Sequence, residues 1–128
     1  MLDHIGYAVS DLKLAKMFYE IALKPLGITA LMEITPEMTG GDEAHIGFGT
    51  DRPFFWISAG KNPGPGIHVA FAAKDRKTVD AFYAAAIAAG GRDNGAPGLR
   101  PHYHENYYGA FVLDLDGQNI EAVCHAPS

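Results

Sequence analysis

Apolar positions along this chain change their spacing in a set order, and the order occurs twice. Residues 4–9 hold a short apolar run, His4-Ile5-Gly6-Tyr7-Ala8-Val9; Leu14, Met17, Phe18 and Ile21 then follow three or four apart. The run fits a short buried strand, and the wider spacing draws one apolar stripe along a helix. Ser10 or Asp11 stands between them as an N-cap, since a short polar side chain accepts a bond from a free amide of the first helical turn. Pro25 and Gly27 close the helix. Residues 28–34 read as a strand, and 35–43, with Pro36, Gly40 and Gly41, as a loop. Residues 45–49 and 54–59 read as two more strands, joined by a turn at 50–53. The first unit is thus strand, helix, strand, strand, strand.

Lys61-Asn62-Pro63-Gly64-Pro65-Gly66 is a linker that no helix can cross. The order then begins again. Residues 67–73 read as a strand, and Val79, Phe82, Tyr83, Ala86 and Ile87 mark a helix ended by Gly90-Gly91. Residues 94–101 are irregular, rich in glycine and proline, with a strand nearby; 107–114 and 119–125 form a hairpin about Asp116-Gly117. Residue identity repeats as well as pattern. At an offset of 64, the segment from His4 to Lys13 falls on that from His68 to Lys77, matching the histidine, the apolar run, the aspartate and the lysine. Phe18-Tyr19 falls on Phe82-Tyr83, and Gly27 on Gly91. A fixed-period match of this kind means one supersecondary unit used twice. The expectation is a single α+β domain over residues 1–128, built of tandem βαβββ modules at 1–60 and 66–126.

Strand parity turns the repeat into a candidate site. Alternate side chains share a face, so His4, Gly6 and Ala8 lie together, as do His68, Ala70 and Ala72. The bulkier residues between them can pack on each module's helix. Each histidine therefore stands among small residues, beside open space. In the last strand Asn119, Glu121 and Val123 share a face, and Glu121 interrupts an apolar run where an unpaired carboxylate would be costly. Two imidazoles and a carboxylate form a ligand set suited to iron, manganese, nickel or zinc. His4, His68 and Glu121 are the candidate metal ligands.

Composition narrows the classes. A net charge of −5 leaves no basic footprint for nucleic acid. No apolar run approaches the roughly 20 residues of a membrane span, and the chain enters a strand pattern at once, without the look of a secretory leader. Cys124 is the only cysteine, which excludes an internal disulfide and points to a reducing compartment, the cytoplasm.

The doubled βαβββ order, the openings His4-Ile5-Gly6-Tyr7 and Gly66-Ile67-His68-Val69-Ala70-Phe71, and the ending from Leu113 to Val123 with its Asp-x-Asp-Gly-x-x-x-Glu core resemble the vicinal oxygen chelate superfamily. That group includes glyoxalase I, extradiol dioxygenases, fosfomycin-resistance enzymes and bleomycin-resistance proteins. The resemblance covers essentially the whole chain, and the run from Arg100 to Tyr108 is similar to an uncharacterised glyoxalase-like branch. It implies an open eight-stranded mixed sheet curled around a cavity, with a divalent metal held by His4, His68 and Glu121. It also implies a small oxygen-rich substrate gripped through two neighbouring oxygens, and a homodimer. In such a dimer His4 of one chain completes a site with His68 and Glu121 of the other, unless all three come from one chain. Glyoxalase I has a further glutamate on the last strand of the first module. Aligning the turns at Asp51 and Asp116 puts Trp56 there instead, so the chain departs from a true glyoxalase I and fits a three-ligand pattern.

The remaining candidates each carry a plainer alternative. Trp56 is either an aromatic wall of the cavity or a core residue. His102 or His104 can serve as acid or base, since imidazole titrates near neutrality, or can simply bond to loop backbone. Tyr103 and Tyr108 belong to the same aromatic cluster and are candidate substrate contacts. Arg100 can hold a carboxylate or phosphate or lie exposed in its loop. His45 and His125 read as ordinary strand-end histidines. Three function classes follow: a metal-dependent lyase, isomerase or dioxygenase; a metal-free sequestering protein of the bleomycin-resistance type; and a scaffold whose dimer face matters most.

Overall fold

Aspartates placed 64 residues apart start the two main helices. In the computed structural model, which describes residues 1–41 and 43–128, Asp11 accepts the amide of Leu14 at 3.0 Å and Asp75 that of Thr78 at 2.8 Å. Helix α1 spans Leu12–Leu23 and runs into a 3-10 turn at Lys24–Leu26, which Gly27 closes at a φ of 75°. Strand β1 (Ile5–Val9) precedes it; β2 (Thr29–Ile34), β3 (His45–Gly49) and β4 (Pro53–Ala59) follow. The second module has β5 (His68–Ala72), the repeat-equivalent helix at Arg76–Ala88, β6 (Arg92–Leu99), β7 (Tyr108–Leu113) and β8 (Asn119–Cys124).

Two segments differ from the pattern-based reading. Within the expected loop a single helical turn, α2, forms at Pro36–Thr39; proline suits a first helical position, and Gly40 ends the turn at a φ of 69°. Residue 42 of that loop lies outside the described residues. The helix at Arg76–Ala88 is accordingly α3. The irregular stretch after it holds β6, a full edge strand whose register with β7 shifts between Asp93 and Gly95 and again between Gly95 and Gly98. Such bulges erase the period-two signature, which is why residues 94–101 did not read as a strand.

The eight strands form two open four-stranded mixed sheets, ordered β1-β4-β3-β2 and β5-β8-β7-β6. The expected eight strands in two βαβββ modules are present; their ladders are two rather than one continuous sheet. In each sheet the first and last strands of the module pair in parallel, and the other pairs are antiparallel. Each sheet has one face on its helix and one face open. The helix-side residues of both modules form one core, with Phe18, Tyr19, Phe55, Phe82 and Ile120 buried and α1 packed on α3. Phe55 and Phe71, from opposite modules, meet edge-to-face at 5.3 Å.

A polar knot also joins the modules. Tyr7 donates to Tyr19 at 2.9 Å, and Tyr19 donates to Asp114 Oδ2 at 2.5 Å. Asp114 Oδ1 accepts the amides of Asp116 and Gln118, so the aspartate shapes its own turn. Gln118 is fully buried; its amide side chain takes the Ile67 N–H and gives to the Gly64 carbonyl, pinning the linker. Most of the Asp-x-Asp-Gly-x-x-x-Glu ending is thus architectural. Among the described residues no helix is long and apolar enough to cross a membrane.

Candidate metal centre

Parallel pairing of β5 with β8 sets His68 opposite Asn119 and Ala70 opposite Glu121. Alternation then puts His68, Ala70 and Ala72 on the open face with Glu121 and Val123, while Val69, Phe71, Ile120 and Ala122 turn to the core. Glu121 is fully buried, and its Oε1 lies 2.8 Å from His68 Nε2, whose ring is half exposed. Its other oxygen accepts the Tyr107 hydroxyl. Gly109 leaves room for that bond: a Cβ there would come within 3.2 Å of both Glu121 Oε2 and Tyr107 Cε1. Burial, reinforced by the bond to the carboxylate, pushes the Tyr107 phenol well above its ordinary range. The result is a carboxylate at the floor, a neutral phenol fixing one oxygen, and an imidazole facing outward on the other.

His4 lies elsewhere in the chain. It is exposed at the head of β1, with Nδ1 2.8 Å from Asp3 Oδ1, while Arg52 bonds the other Asp3 oxygen at 3.2 Å. These two partners hold the Asp3 carboxyl below its usual range. A carboxylate on Nδ1 fixes the tautomer with a free Nε2, the arrangement commonly found behind a metal-bound histidine. His4 lines a shallow depression with Gly6, His45, Pro53 and Trp56, all of the first module. Among the described residues, no three histidine, cysteine or acidic side chains gather into one potential metal group. One chain therefore brings together His68 and Glu121 and keeps His4 on the open face of the other sheet.

Ladder register shows which residue of the first module matches Glu121. Trp56 pairs with Gly6 on one side and Gly47 on the other; in the second module Glu121 pairs with Ala70 and Phe111. Trp56 thus occupies the position equivalent to Glu121. Its indole lies across Gly47, where a Cβ would come 2.8 Å from Cη2. Being on the open face and only partly buried, it stands apart from Phe55 and Ile57, which fill the core.

The aromatic cluster after Arg100 has a definite order. His104 Nδ1 accepts the Asn106 amide at 3.1 Å, so its proton sits on Nε2, which faces His125 Nδ1 at 2.5 Å. Both nitrogens of His104 are engaged. The rings of His104 and His125 meet the Tyr107 ring edge-on at 5.6 and 5.3 Å. The Tyr103 ring centre lies 4.8 Å from that of Tyr107, with the His102 ring tilted against it at 4.2 Å. Tyr108 stands on the helix side of the sheet, away from Glu121, donating to Asp80 on α3 at 2.6 Å with the Arg76 guanidinium over its ring. The structure adds three site neighbours: Tyr107, grouped in the sequence with the aromatic cluster but given no role, Phe111, and His125, read there as an ordinary strand-end histidine. The signal for two of them was present: Tyr107, just before β7, alternates with Gly109 and Phe111 and shares the face that meets Glu121.

Residues 1–122 match the family described as the Glyoxalase/Bleomycin resistance protein/Dioxygenase superfamily. No curated protein matches the chain. Among solved structures, a glyoxalase/bleomycin resistance protein from Albidiferax ferrireducens T118 is 30% identical, with a TM-score of 0.77 over 97% of this chain and 98% of that one. A glyoxalase/bleomycin resistance protein/dioxygenase family enzyme from Burkholderia phytofirmans PsJN is 18% identical, with a TM-score of 0.71 over 97% of this chain and 98% of that one. Glyoxalase I from Zea mays is 22% identical, with a TM-score of 0.70; the match takes in 95% of this chain and 43% of the maize chain. At those lower identities the likeness is one of fold.

Proposed function

This chain belongs to the glyoxalase/bleomycin resistance protein/dioxygenase superfamily, and on that premise we propose that it is a metal-dependent enzyme acting on a small molecule held through neighbouring oxygens. One observation carries the reading: a fully buried strand carboxylate offers one oxygen, 2.8 Å from the Nε2 of a half-exposed histidine, on an open sheet face. The fit is chemically sound. Imidazole nitrogen and carboxylate oxygen suit zinc, manganese, iron and nickel, and ligand bonds of about 2.1 Å at right angles separate two donors by about 3 Å. His68 and Glu121 would hold the ion, with the free Nε2 of His4 from the partner subunit as third ligand in a homodimer. A bound divalent cation would act as a Lewis acid, stabilising charge that develops on a substrate oxygen.

The chain's own groups have separable parts in this. Tyr107 ties up Glu121 Oε2, which leaves Oε1 to the site. Asp3 holds the His4 proton on Nδ1. Trp56, in place of a second carboxylate, offers an aromatic wall and no proton acceptor, so the balanced pair of carboxylates seen in glyoxalase I chemistry is not reproduced. His102 stands on the exposed rim as the acid or base of a lyase, isomerase or dioxygenase step. His104, with both nitrogens engaged, supports Tyr107.

The test is elemental analysis of untagged protein after metal loading. About one ion per chain is expected for the wild type, and loss of the ion in His68→Ala and Glu121→Ala. Full metal content in both ligand variants would sink the assignment. A second reading, a metal-free sequestering protein, has one observation in its favour: both Glu121 oxygens already have hydrogen-bond partners. Tight ligand binding that survives complete metal removal would select it.

A further inference from the structure

Arg100 is fixed on the open face of the second sheet by acceptors that carry no charge. Its side chain folds back along β6, giving Nη1–H to the Gly98 carbonyl at 2.8 Å and Nη2–H to the Ala96 carbonyl at 2.7 Å. Glycines make the seat. A Cβ at Gly95 would come 3.2 Å from Nη2 and 2.9 Å from Phe111 Cδ1, and one at Gly98 would come 3.2 Å from Nη1. The bulges that break the β6 register lie at these same positions. The guanidinium carbon sits 5.4 Å from the Phe111 ring centre, and Phe111 is both the ladder partner of Glu121 and a ring neighbour of His68 at 6.1 Å. Phe111 therefore neighbours both the cation and His68, on the face that carries Glu121.

Its bonding is incomplete in a way that points outward. A guanidinium has five N–H groups, and the two carbonyls take one each. Among the described residues it makes no ion pair, although the chain carries 15 acidic residues against 10 basic ones. An arginine serving only its own loop would not need a glycine-lined seat against the aromatic partner of a candidate ligand. Because the fork is already oriented, an arriving anion does not have to immobilise it, which favours binding. A single guanidinium matches one negative charge, and its planar fork matches a carboxylate.

We propose that Arg100 is an anion subsite of the Glu121 face, and that the substrate carries a carboxylate at the end remote from its chelating oxygens. This rests on the reading of that face as the binding site. It narrows the substrate class from any small oxygenated molecule to acids such as hydroxy- or oxo-acids with a distal carboxylate.

The experiment compares probes that share a chelating end and chain length and differ only in the distal group: 2-oxoglutarate and 2-oxoadipate against 2-oxopentanoate and 2-oxohexanoate. Affinities are measured by calorimetry on manganese-loaded and metal-free protein, for the wild type, Arg100→Gln and Arg100→Lys. The expected result is a preference of about ten-fold or more for at least one dicarboxylate, the size of one charge-assisted bond. Arg100→Gln should abolish that preference without changing metal content, and Arg100→Lys should keep part of it. Equal binding of matched probes to the wild type, absence of binding by all four, or a preference intact in Arg100→Gln would overturn the subsite. Affinities indifferent to manganese, with the Arg100-dependent preference intact, would instead support the subsite and remove the metal reading.

Discussion

Glu121 explains more of this site than any other residue, because a carboxylate with no exposed surface must have partners for both oxygens. His68 serves one and Tyr107 the other. Tyr107 is held in turn by the rings of His104 and His125, so these two histidines reach Glu121 only through one phenol. Replacing Tyr107 with Phe keeps the ring and removes only the hydroxyl. Metal affinity should then fall by about 10- to 100-fold, the usual effect of losing a group that orients a ligand. Competition against a chromophoric chelator measures it. Unaltered affinity in this variant, with wild-type folding, would mean that the phenol does not orient the carboxylate.

At the level of elements, the β7–β8 turn does two jobs with one motif. Asp114 organises the turn through the amides of Asp116 and Gln118 and reaches Tyr19 on α1, tying the two modules. Burial raises its carboxyl above the usual value, against the lowering effect of those hydrogen bonds. The sign of the pH effect follows. Between the unfolded and the raised folded value the native state binds the proton that the unfolded chain has lost, so this group's contribution to stability is largest at low pH and declines as pH rises through that window. Urea unfolding of the wild type and Asp114→Asn, followed upward from about pH 4, should show the wild type losing stability relative to the variant. A constant difference across that range would contradict the raised carboxyl.

At the level of the whole molecule, the shared core turns the helix sides of both modules inward and leaves two open faces. One presents His68 and Glu121, the other His4 and Trp56. A site joining them across two chains predicts a specific complementation. Metal-loaded His4→Ala and Glu121→Ala proteins are each expected to lack an intact site. After subunit exchange, a heterodimer holds one wild-type site and one doubly broken site. About half a site per heterodimer chain should therefore recover metal binding, read by calorimetry on the exchanged mixture. No recovery after exchange verified by mass spectrometry would count against a site shared between subunits.

Much of this was legible in residue order because the fold is a local unit repeated. Capping aspartates, a helix stop at Gly27, strand alternation and an offset of 64 are short-range signals, and they determined the modules, the helix-facing residues and the pairing of His68 with Glu121. That Trp56 stands where Glu121 stands in the other module followed from aligning the two turns, and the ladders agree. Other features needed the tertiary structure. Bulges at Gly95 and Gly98 hid β6, since an extra residue breaks the alternation that marks a strand. The choice between Tyr107 and Tyr108 turned on which side of one strand faces the helix, and adjacent aromatic residues carry no such label. The separation of His4 from His68 depended on how the modules pack, which is decided by the core between them: equivalent positions in a repeat share a conformation, but nothing in their spacing says whether the two faces meet within one chain.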